Sequence, residues 1–193
     1  MKSIVGSYLG VIFRPSPTLA SLGEETRLRE GLAVVVVATV LYSLFSLWLY
    51  LDGQQPSFTG NPIPAADYYL WQAIFLVAWL PAAYAIFVTV AHRLMYRALS
   101  TIEWESTAAA LGYAFAIPIT WAYLVPEMIV FGLFGHDSLA IAMRITGPVT
   151  LLWWAYLTFR TLRVIHKCPR RMAGFVTPFA LATTIAFLAL LVR

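Results

Sequence analysis

The stretch Gly31–Leu51, "GLAVVVVATVLYSLFSLWLYL", contains no charged residue and has the length of a membrane crossing. A hydrocarbon core of about 30 Å needs roughly 20 apolar residues in a helix. Such a run must be helical in lipid, because lipid offers no partner to backbone N–H and C=O groups. The stretch therefore predicts a transmembrane helix.

The rest of the chain has the same character. Of its 193 residues, 61% are hydrophobic and 11% are charged, whereas a soluble domain carries about 25% charged residues. Four more apolar blocks of similar length follow, at residues 68–91, 108–134, 139–159 and 172–192. These blocks are continuous, unlike the alternating strands of a membrane barrel. We predict an all-α polytopic membrane protein with five transmembrane helices in a compact bundle over residues 31–193.

Prolines punctuate four of the five predicted helices. Each proline removes one backbone N–H and frees the carbonyl of the residue four positions earlier. Inside a membrane those carbonyls need another donor or a neighbouring helix, so we expect a proline-kinked bundle. The kinks are either structural or mark local binding sites, and the residues concerned are Pro81, Pro118, Pro126, Pro148 and Pro178.

Residues 1–30 precede the first predicted helix and form a separate N-terminal segment. In "SPTLASLGEETRLREG", Ser16 is a suitable N-cap and Pro17 suits the first helical position. One side, which could face lipid, carries Leu19, Leu22 and Leu28, and the other side, which could face water, carries Glu24, Glu25, Arg27 and Arg29. We interpret the segment as a short amphipathic interfacial helix, with a capped lead-in to the first transmembrane helix as the alternative.

The distribution of basic residues predicts the orientation. Four of the thirteen Lys and Arg residues precede the first helix, two follow the second and five follow the fourth. The connections at 52–67 and 135–138 contain none. By the positive-inside rule, the N-terminus is cytoplasmic and the C-terminus is outside. The basic loops could also contact anionic lipid headgroups, and the net charge of +4 gives no indication of nucleic-acid binding.

Two charged residues lie within the third and fourth apolar blocks, Glu127 and Arg144. Each is about eight residues from the turn at 135–138, so both lie roughly 12 Å below it. A lone charge at the bilayer centre costs at least about 2.5–3.5 kcal/mol. We predict that the two side chains meet in an ion pair that stabilises the fold. A polar site for an ion, headgroup or substrate, and snorkelling of Arg144 to the surface, are the alternatives.

Small residues recur every four positions in the third block, at Ala108, Gly112 and Ala116. Side chains of this size allow another helix to approach closely. We therefore predict that this face is buried against a neighbouring helix.

Motifs of common enzyme classes are absent from the sequence. It contains no HExxH, GxSxG or CxxC pattern. His166 and Cys168 lie in the basic segment "HKCPRR" without further ligands nearby, and His136 and Asp137 suit turn positions. We predict no catalytic residue, no metal and no cofactor, so the protein is not expected to be an enzyme.

The segment "LGYAFAIP", Leu111–Pro118, resembles the Leu-Gly-Tyr followed by Pro of the Yip family. These are five-span membrane proteins named for their interaction with Ypt/Rab GTPases. Leu111, Gly112, Tyr113 and Pro118 are the matching positions, and "FRPSPTLASL" resembles the lead-in of bacterial members. The chain lacks the long cytosolic N-terminal tail of eukaryotic members, and Arg outnumbers Lys eleven to two. The resemblance implies a prokaryotic-type member in the inner membrane.

Two functions are compatible with these features. The first is a non-enzymatic membrane-organising or trafficking-type scaffold, or a partner-binding module, with a homo-oligomer or a protein partner left open. The second is a small transporter, channel or lipid-moving protein that uses Glu127 and Arg144. A continuous polar path through the bundle would favour the second function.

Overall fold

A computed structural model describes residues 3–24, 27–56, 63–98 and 102–192, and within these ranges the regular structure is entirely helical. The connections include 3₁₀ turns at Ala65–Asp67 and His136–Ser138 and a π-helical segment at Ile119–Leu124. In chain order the α-helices are α1 (Ile4–Phe13), α2 (Pro15–Glu24), α3 (Leu28–Leu51), α4 (Tyr68–Ala98), α5 (Trp104–Pro118), α6 (Val125–Phe134), α7 (Leu139–Ile165) and α8 (Arg170–Val192).

Four helical stretches are long and apolar enough to cross a membrane, which confirms the prediction of a multi-pass helical protein. They are Leu28–Leu51, Ala65–Arg97, Trp104–Phe134 and Arg170–Ala189. Helix α7 has 27 residues and packs against α5, α6 and α8, but Arg144, a proline and several aromatic residues lower its mean hydropathy. Length and composition therefore identify four candidate spans, with α7 as a further long helix of the bundle.

The third span is central and is not a uniform α-helix. In α5 every residue from Ser106 to Pro118 is buried, and α5 contacts α2, α3, α4 and α7. Beyond Pro118 the chain widens into the π-helical segment before it continues as α6. Pro126 cannot donate to the carbonyl four residues earlier, and a wider turn is one way in which a helix accommodates such an interruption.

The N-terminal segment differs from the single interfacial helix that the sequence predicted. It forms two helices, α1 and α2, and α2 contacts α5 and α7. Leu19 and Leu22 are fully buried, so the expectation that they face lipid is wrong. The flanks of α5 and α7 provide an apolar surface that these leucines cover instead. Part of the predicted polar face, at Glu25, lies outside the described residues.

The small residues of α5 lie at a close helix crossing. Ala108, Gly112 and Ala116 are buried, and Gly112 packs on the backbone of α3. A Cβ atom added to Gly112 would collide with the carbonyl of Gly31, and one added to Gly31 would lie 2.5 Å from the carbonyl oxygen of Ala109. The two backbones thus touch directly, and both positions require glycine.

The two ends of the bundle differ in charge. One end carries the connections at 52–67 and 135–138, which contain Asp52, Asp67 and Asp137 but no Lys or Arg. We call it the acidic end. The other end carries the N-terminal helices and the connection at 166–169, near which most of the basic residues lie, and we call it the basic end.

Candidate functional site

A cavity of about 400 Å³ opens at the acidic end between α3, α4, α6 and α7. Its walls are largely apolar, which is usual for sites that bind small molecules. Their polar part includes four tyrosines and two carboxylates. The polar lining residues are Tyr42, Ser46, Tyr68, Tyr69, Gln72, Tyr123, Glu127, His136 and Asp137. We call this space the tyrosine cavity.

Glu127 is the most deeply buried charged group of the tyrosine cavity, with 4% of its surface exposed. Its carboxylate accepts a hydrogen bond of 3.4 Å from the Thr146 hydroxyl, and the Tyr123 hydroxyl also interacts with it. Among the residues that the structure describes, no Lys, Arg or His forms an ion pair with Glu127. The carboxylate is therefore held by neutral hydroxyl groups.

The predicted ion pair between Glu127 and Arg144 is wrong. Arg144 is exposed, and the residue of α7 that meets Glu127 is Thr146. Arg144 precedes Thr146 by two positions, which rotates its side chain by about 200° around the helix. Side chains of a helix point toward its N-terminus, and α7 begins at the acidic end. This direction favours the snorkelling alternative for Arg144.

Short polar contacts fix the tyrosine cavity walls. The Tyr69 hydroxyl lies 2.9 Å from His136 Nε2, which joins α4 to the turn before α7. The Ser46 hydroxyl donates a 3.0 Å hydrogen bond to the Gln72 side chain, which joins α3 to α4. The rings of Tyr42 and Tyr123 meet edge to face with centroids 5.9 Å apart. The cavity is thus a built feature of four neighbouring segments.

Packed aromatic rings fill the middle of the bundle. Phe87, Phe115 and Trp154 come from three different helices, and their ring centroids lie 5.2–6.0 Å apart. All three are buried. Trp154 is eight residues beyond Thr146 in α7, about 12 Å further along the helix. This ring cluster lies between the tyrosine cavity and the basic end.

Helix α7 also carries polar groups along its buried face. Thr146, Thr150, Trp154 and Thr158 are buried at intervals of four residues, so they lie above one another on one side of the helix. Three of their polar atoms have no hydrogen-bond partner among the described residues, namely Thr150 Oγ1, Trp154 Nε1 and Thr158 Oγ1. Buried groups of this kind are normally satisfied, so the row is unusual.

Two threonines of α8 satisfy their hydroxyl groups within that helix. Thr184 is buried and Thr183 is exposed, and their hydroxyls donate to carbonyls of their own helix at 2.7 and 2.9 Å. Thr120 is buried within the π-helical segment. Gln72, Tyr123 and Glu127 are among the polar residues of the spans that line the tyrosine cavity, and Thr146 contacts Glu127.

The family-like motif lies near the basic end, away from the tyrosine cavity. Leu111 is fully buried, Gly112 lies at the crossing with α3, and Pro118 ends α5. The Tyr113 hydroxyl donates to the Glu30 carboxylate at 3.3 Å, and Glu30 also forms an ion pair with Arg27. Arg27 reaches the Ser7 hydroxyl in α1. The motif therefore connects α5 to the N-terminal segment.

Two histidines at the basic end share one threonine hydroxyl. His92 Nδ1 and His166 Nε2 each lie 3.2 Å from Thr107 Oγ1. Burial lowers the pKa of His166 to about 4, and the charge of nearby His92 acts in the same direction. Burial also raises the pKa of the Cys168 thiol. No three His, Cys, Asp or Glu residues within the described part of the chain are placed to hold a metal.

Sequence patterns could not have found this histidine pair. His92 and Thr107 are separated by 15 positions, and Thr107 and His166 by 59. Their contact depends on how the ends of α4 and α7 meet the start of α5. The sequence indicated the tyrosine cavity only in part, through Glu127. A glutamate within a membrane span is a candidate functional residue. The tyrosines were visible only as aromatic residues typical of a membrane interface.

Comparison with known proteins gives one match. The family model described as the Yip1 domain matches residues 9–192. No curated protein and no solved structure matches the chain. The matched region includes all of the long helices and the Leu111–Pro118 segment. The chain belongs to the Yip1 domain family.

Proposed function

We propose that this protein is a non-enzymatic membrane scaffold or partner-binding module in the cytoplasmic membrane of a prokaryote. Its five long helices cross the bilayer, with α7 as the fifth span, the N-terminus inside and the C-terminus outside. The basic residues beside the basic end and their absence from the 52–67 and 135–138 connections support this orientation.

The observation that carries the scaffold function is the ring cluster of Phe87, Phe115 and Trp154. A pore or a lipid path needs a polar or open route through the bundle, whereas these rings fill the centre at contact distance. The tyrosine cavity therefore has an opening at one end and a packed floor. A cavity that is closed at one end suits the binding of a ligand or partner better than passage through the bundle.

Reconstitution into liposomes tests this function. Purified protein should give no fluorescent-lipid scrambling, proton leak or potassium leak above empty liposomes, while gramicidin added to the same vesicles provides the positive control for ions. Flux that depends on the protein and disappears on heat inactivation would overturn the scaffold proposal.

Capture of a neighbouring chain tests the partner-binding aspect. Ile141, Ile145 and Leu152 are exposed apolar residues of α7, and such a surface faces either lipid or another protein. A photo-crosslinking residue at Leu152 should give one discrete adduct in native membranes, at the mass of a second copy or of a partner. Only lipid adducts at all three positions would argue against a partner on this face.

The second candidate is a small transporter or lipid-moving protein, and the buried polar row of α7 favours it. Groups four residues apart in a helix are about 6 Å apart, a gap that one water molecule can bridge. If this row conducted protons, Thr150→Val and Thr158→Val would each abolish a leak that the wild-type protein shows. Equal, background-level leak in all three proteins removes proton conduction along this row, and background-level lipid scrambling removes lipid movement.

Impermeant thiol labelling of whole cells tests the orientation. In a Cys168→Ser background, Gln55→Cys reports on the 52–67 connection and Glu103→Cys on the start of α5, and both native side chains are exposed. Gln55→Cys should react in intact cells, and Glu103→Cys only after the membrane is opened. The reverse pattern would invert the proposed topology.

A further inference from the structure

The tyrosine cavity combines features that none of the functions above requires. It holds a buried carboxylate, tyrosine rings, and an opening at an end of the bundle that is rich in Asp. A cavity of about 400 Å³ lies within the range of ligand sites, which is roughly 300–1,000 Å³. Its charges indicate which ligands it suits.

The charge of the site favours a cation. Glu127 and Asp137 line the cavity, no Lys or Arg does, and Asp52 and Asp67 belong to the connection beside its mouth. Glu127 has no basic partner among the described residues, and removing an ionised carboxylate from water is unfavourable unless a positive charge accompanies it. A bound cation would supply that charge.

The walls favour an organic cation over a metal ion. Ca²⁺ needs six to eight oxygen ligands and Mg²⁺ near-ideal octahedral geometry, whereas the cavity offers one deeply buried carboxylate among neutral hydroxyls and rings. Ammonium groups, in contrast, bind the faces of aromatic rings, as in the aromatic cages that bind choline. Tyr42, Tyr68, Tyr69 and Tyr123 provide such rings around the same space.

The ring geometry leaves surface for this contact. Tyr42 meets Tyr123, and Tyr68 meets Tyr69, in edge-to-face pairs with centroids 5.9 and 5.3 Å apart. In such a pair one ring presents its edge, so its own faces are not covered by its partner. Leu49, Leu139 and Met143 complete the wall and provide apolar contact for the carbon atoms of an alkylammonium group.

We propose that the tyrosine cavity binds an organic ammonium group, with the Glu127 carboxylate as its counter-ion and tyrosine rings as its walls. The ammonium belongs either to an amino-phospholipid headgroup that enters from the membrane or to a free alkylammonium solute. Asp137 at the mouth adds attraction for either.

Thermal unfolding in an uncharged detergent measures this binding, because a ligand that binds only the folded state raises the melting temperature. The free-solute arm uses tetramethylammonium chloride against sodium chloride at equal ionic strength. The lipid arm uses a short-chain phosphatidylethanolamine against the corresponding phosphatidylglycerol. Stabilisation by tetramethylammonium assigns a solute site, and stabilisation by phosphatidylethanolamine alone assigns a headgroup site.

Variants identify the site. Glu127→Gln should weaken the ammonium response at least about tenfold in ligand concentration, the effect of losing one charge-assisted contact. Ala140→Trp, which fills the cavity from an exposed lining position, should weaken it as well and serves if Glu127→Gln does not fold. Gly132→Ala is the matched control, because it lies on the same helix as Glu127 and outside the cavity lining.

Two results would overturn the proposal. One is an equal response to ammonium and sodium, together with an equal response to the two lipids. The other is an ammonium response that both cavity variants leave unchanged. The scaffold function fails separately, through protein-dependent flux in liposomes, and such flux would leave a measured ammonium site intact.

Discussion

The acidic and basic ends of this bundle are built differently. At the basic end, side chains contact one another directly: α3 crosses α5 at two glycines, and Tyr113, Glu30 and Arg27 connect α5 to the N-terminal helices. At the acidic end, hydroxyls, rings and a buried carboxylate surround an opening. Dense packing makes the basic end intolerant of change, whereas residues around an opening can change with little loss of stability. The family motif lies in the packed half and the candidate binding site in the open half.

The largest expected effect is at the helix crossing. Gly112→Leu places a side chain where the Gly31 carbonyl already lies, and helices forced apart lose their contacts along the whole interface. We expect the free energy of unfolding to fall by about 3 kcal/mol or more. Size-exclusion chromatography in detergent should then show little folded protein.

Gly147→Ala is the control for this variant. An added Cβ at Gly147 has no neighbour within 4 Å, so its melting temperature should match the wild type or rise slightly, since alanine is the better helix former. A normal melting temperature for Gly112→Leu would show that α3 and α5 do not touch as described.

Acid should weaken the basic end through His166. The pKa of His166 is about 4 in the folded protein and about 6.5 when unfolded, so the unfolded state takes up the proton first. The contribution of His166 to the free energy of unfolding is therefore complete above pH 6.5. It decreases by about 3 kcal/mol at most as the pH drops toward 4.

Thermal unfolding at several pH values measures how the melting temperature depends on pH. His166→Gln should weaken this dependence between pH 6.5 and 4.5. Gly147→Ala, which changes no titratable group, should keep the pH dependence of the wild type. A wild-type melting temperature that is constant over this pH range would contradict the role of His166.

A smaller effect is expected at the motif tyrosine. Tyr113→Phe keeps the buried ring and removes the hydroxyl that donates to Glu30 and also interacts with Ser7. The loss should cost about 1–2 kcal/mol of unfolding free energy, mainly because the Glu30 acceptor is charged. Tyr96→Phe, at an exposed position on α4, should leave the melting temperature unchanged. If both variants behave alike, the contact with Glu30 contributes nothing to stability.

The smallest effect is expected at Arg144, and it separates the observed geometry from an ion pair. Arg144→Met should change the stability by no more than about 0.5 kcal/mol, because the side chain is exposed. The effect of Glu127→Gln should be the same with and without Arg144→Met. Recovery of stability in the double variant would reveal a coupling that the structure does not contain.

Much of the architecture followed from the sequence because it depends on length and composition. Blocks such as Gly31–Leu51 must be helices in lipid, and the small residues at Ala108, Gly112 and Ala116 marked a face that the structure buries. The partner of that face, Gly31, could not be identified, since a single glycine at the start of an apolar run has no distinctive pattern. The burial of Leu19 and Leu22 depends on the flank of α7, which is remote in sequence.

The site was harder to predict because its details depend on helix rotation. The distances to the turn predicted equal depth for Glu127 and Arg144, and the residue that meets Glu127 is Thr146, about 3 Å further along the helix than Arg144. Depth alone does not fix which way a side chain points, and a difference of two residues turned Arg144 away and brought Thr146 to Glu127. Proline positions indicated an irregular third span, but the choice of a π-helical segment depends on the neighbours of Ile119–Leu124.

Thiol accessibility along the bundle tests the contrast between the two halves most directly. In a Cys168→Ser background, Gln72→Cys places a thiol in the tyrosine cavity and Thr158→Cys places one in the fully buried interior beyond the ring cluster. A small, water-soluble methanethiosulfonate reagent is applied from either side of the membrane. We expect rapid modification of Gln72→Cys from one side and no modification of Thr158→Cys from either. Modification of Thr158→Cys at a comparable rate would show a water-filled path through the bundle and contradict a cavity with a packed floor.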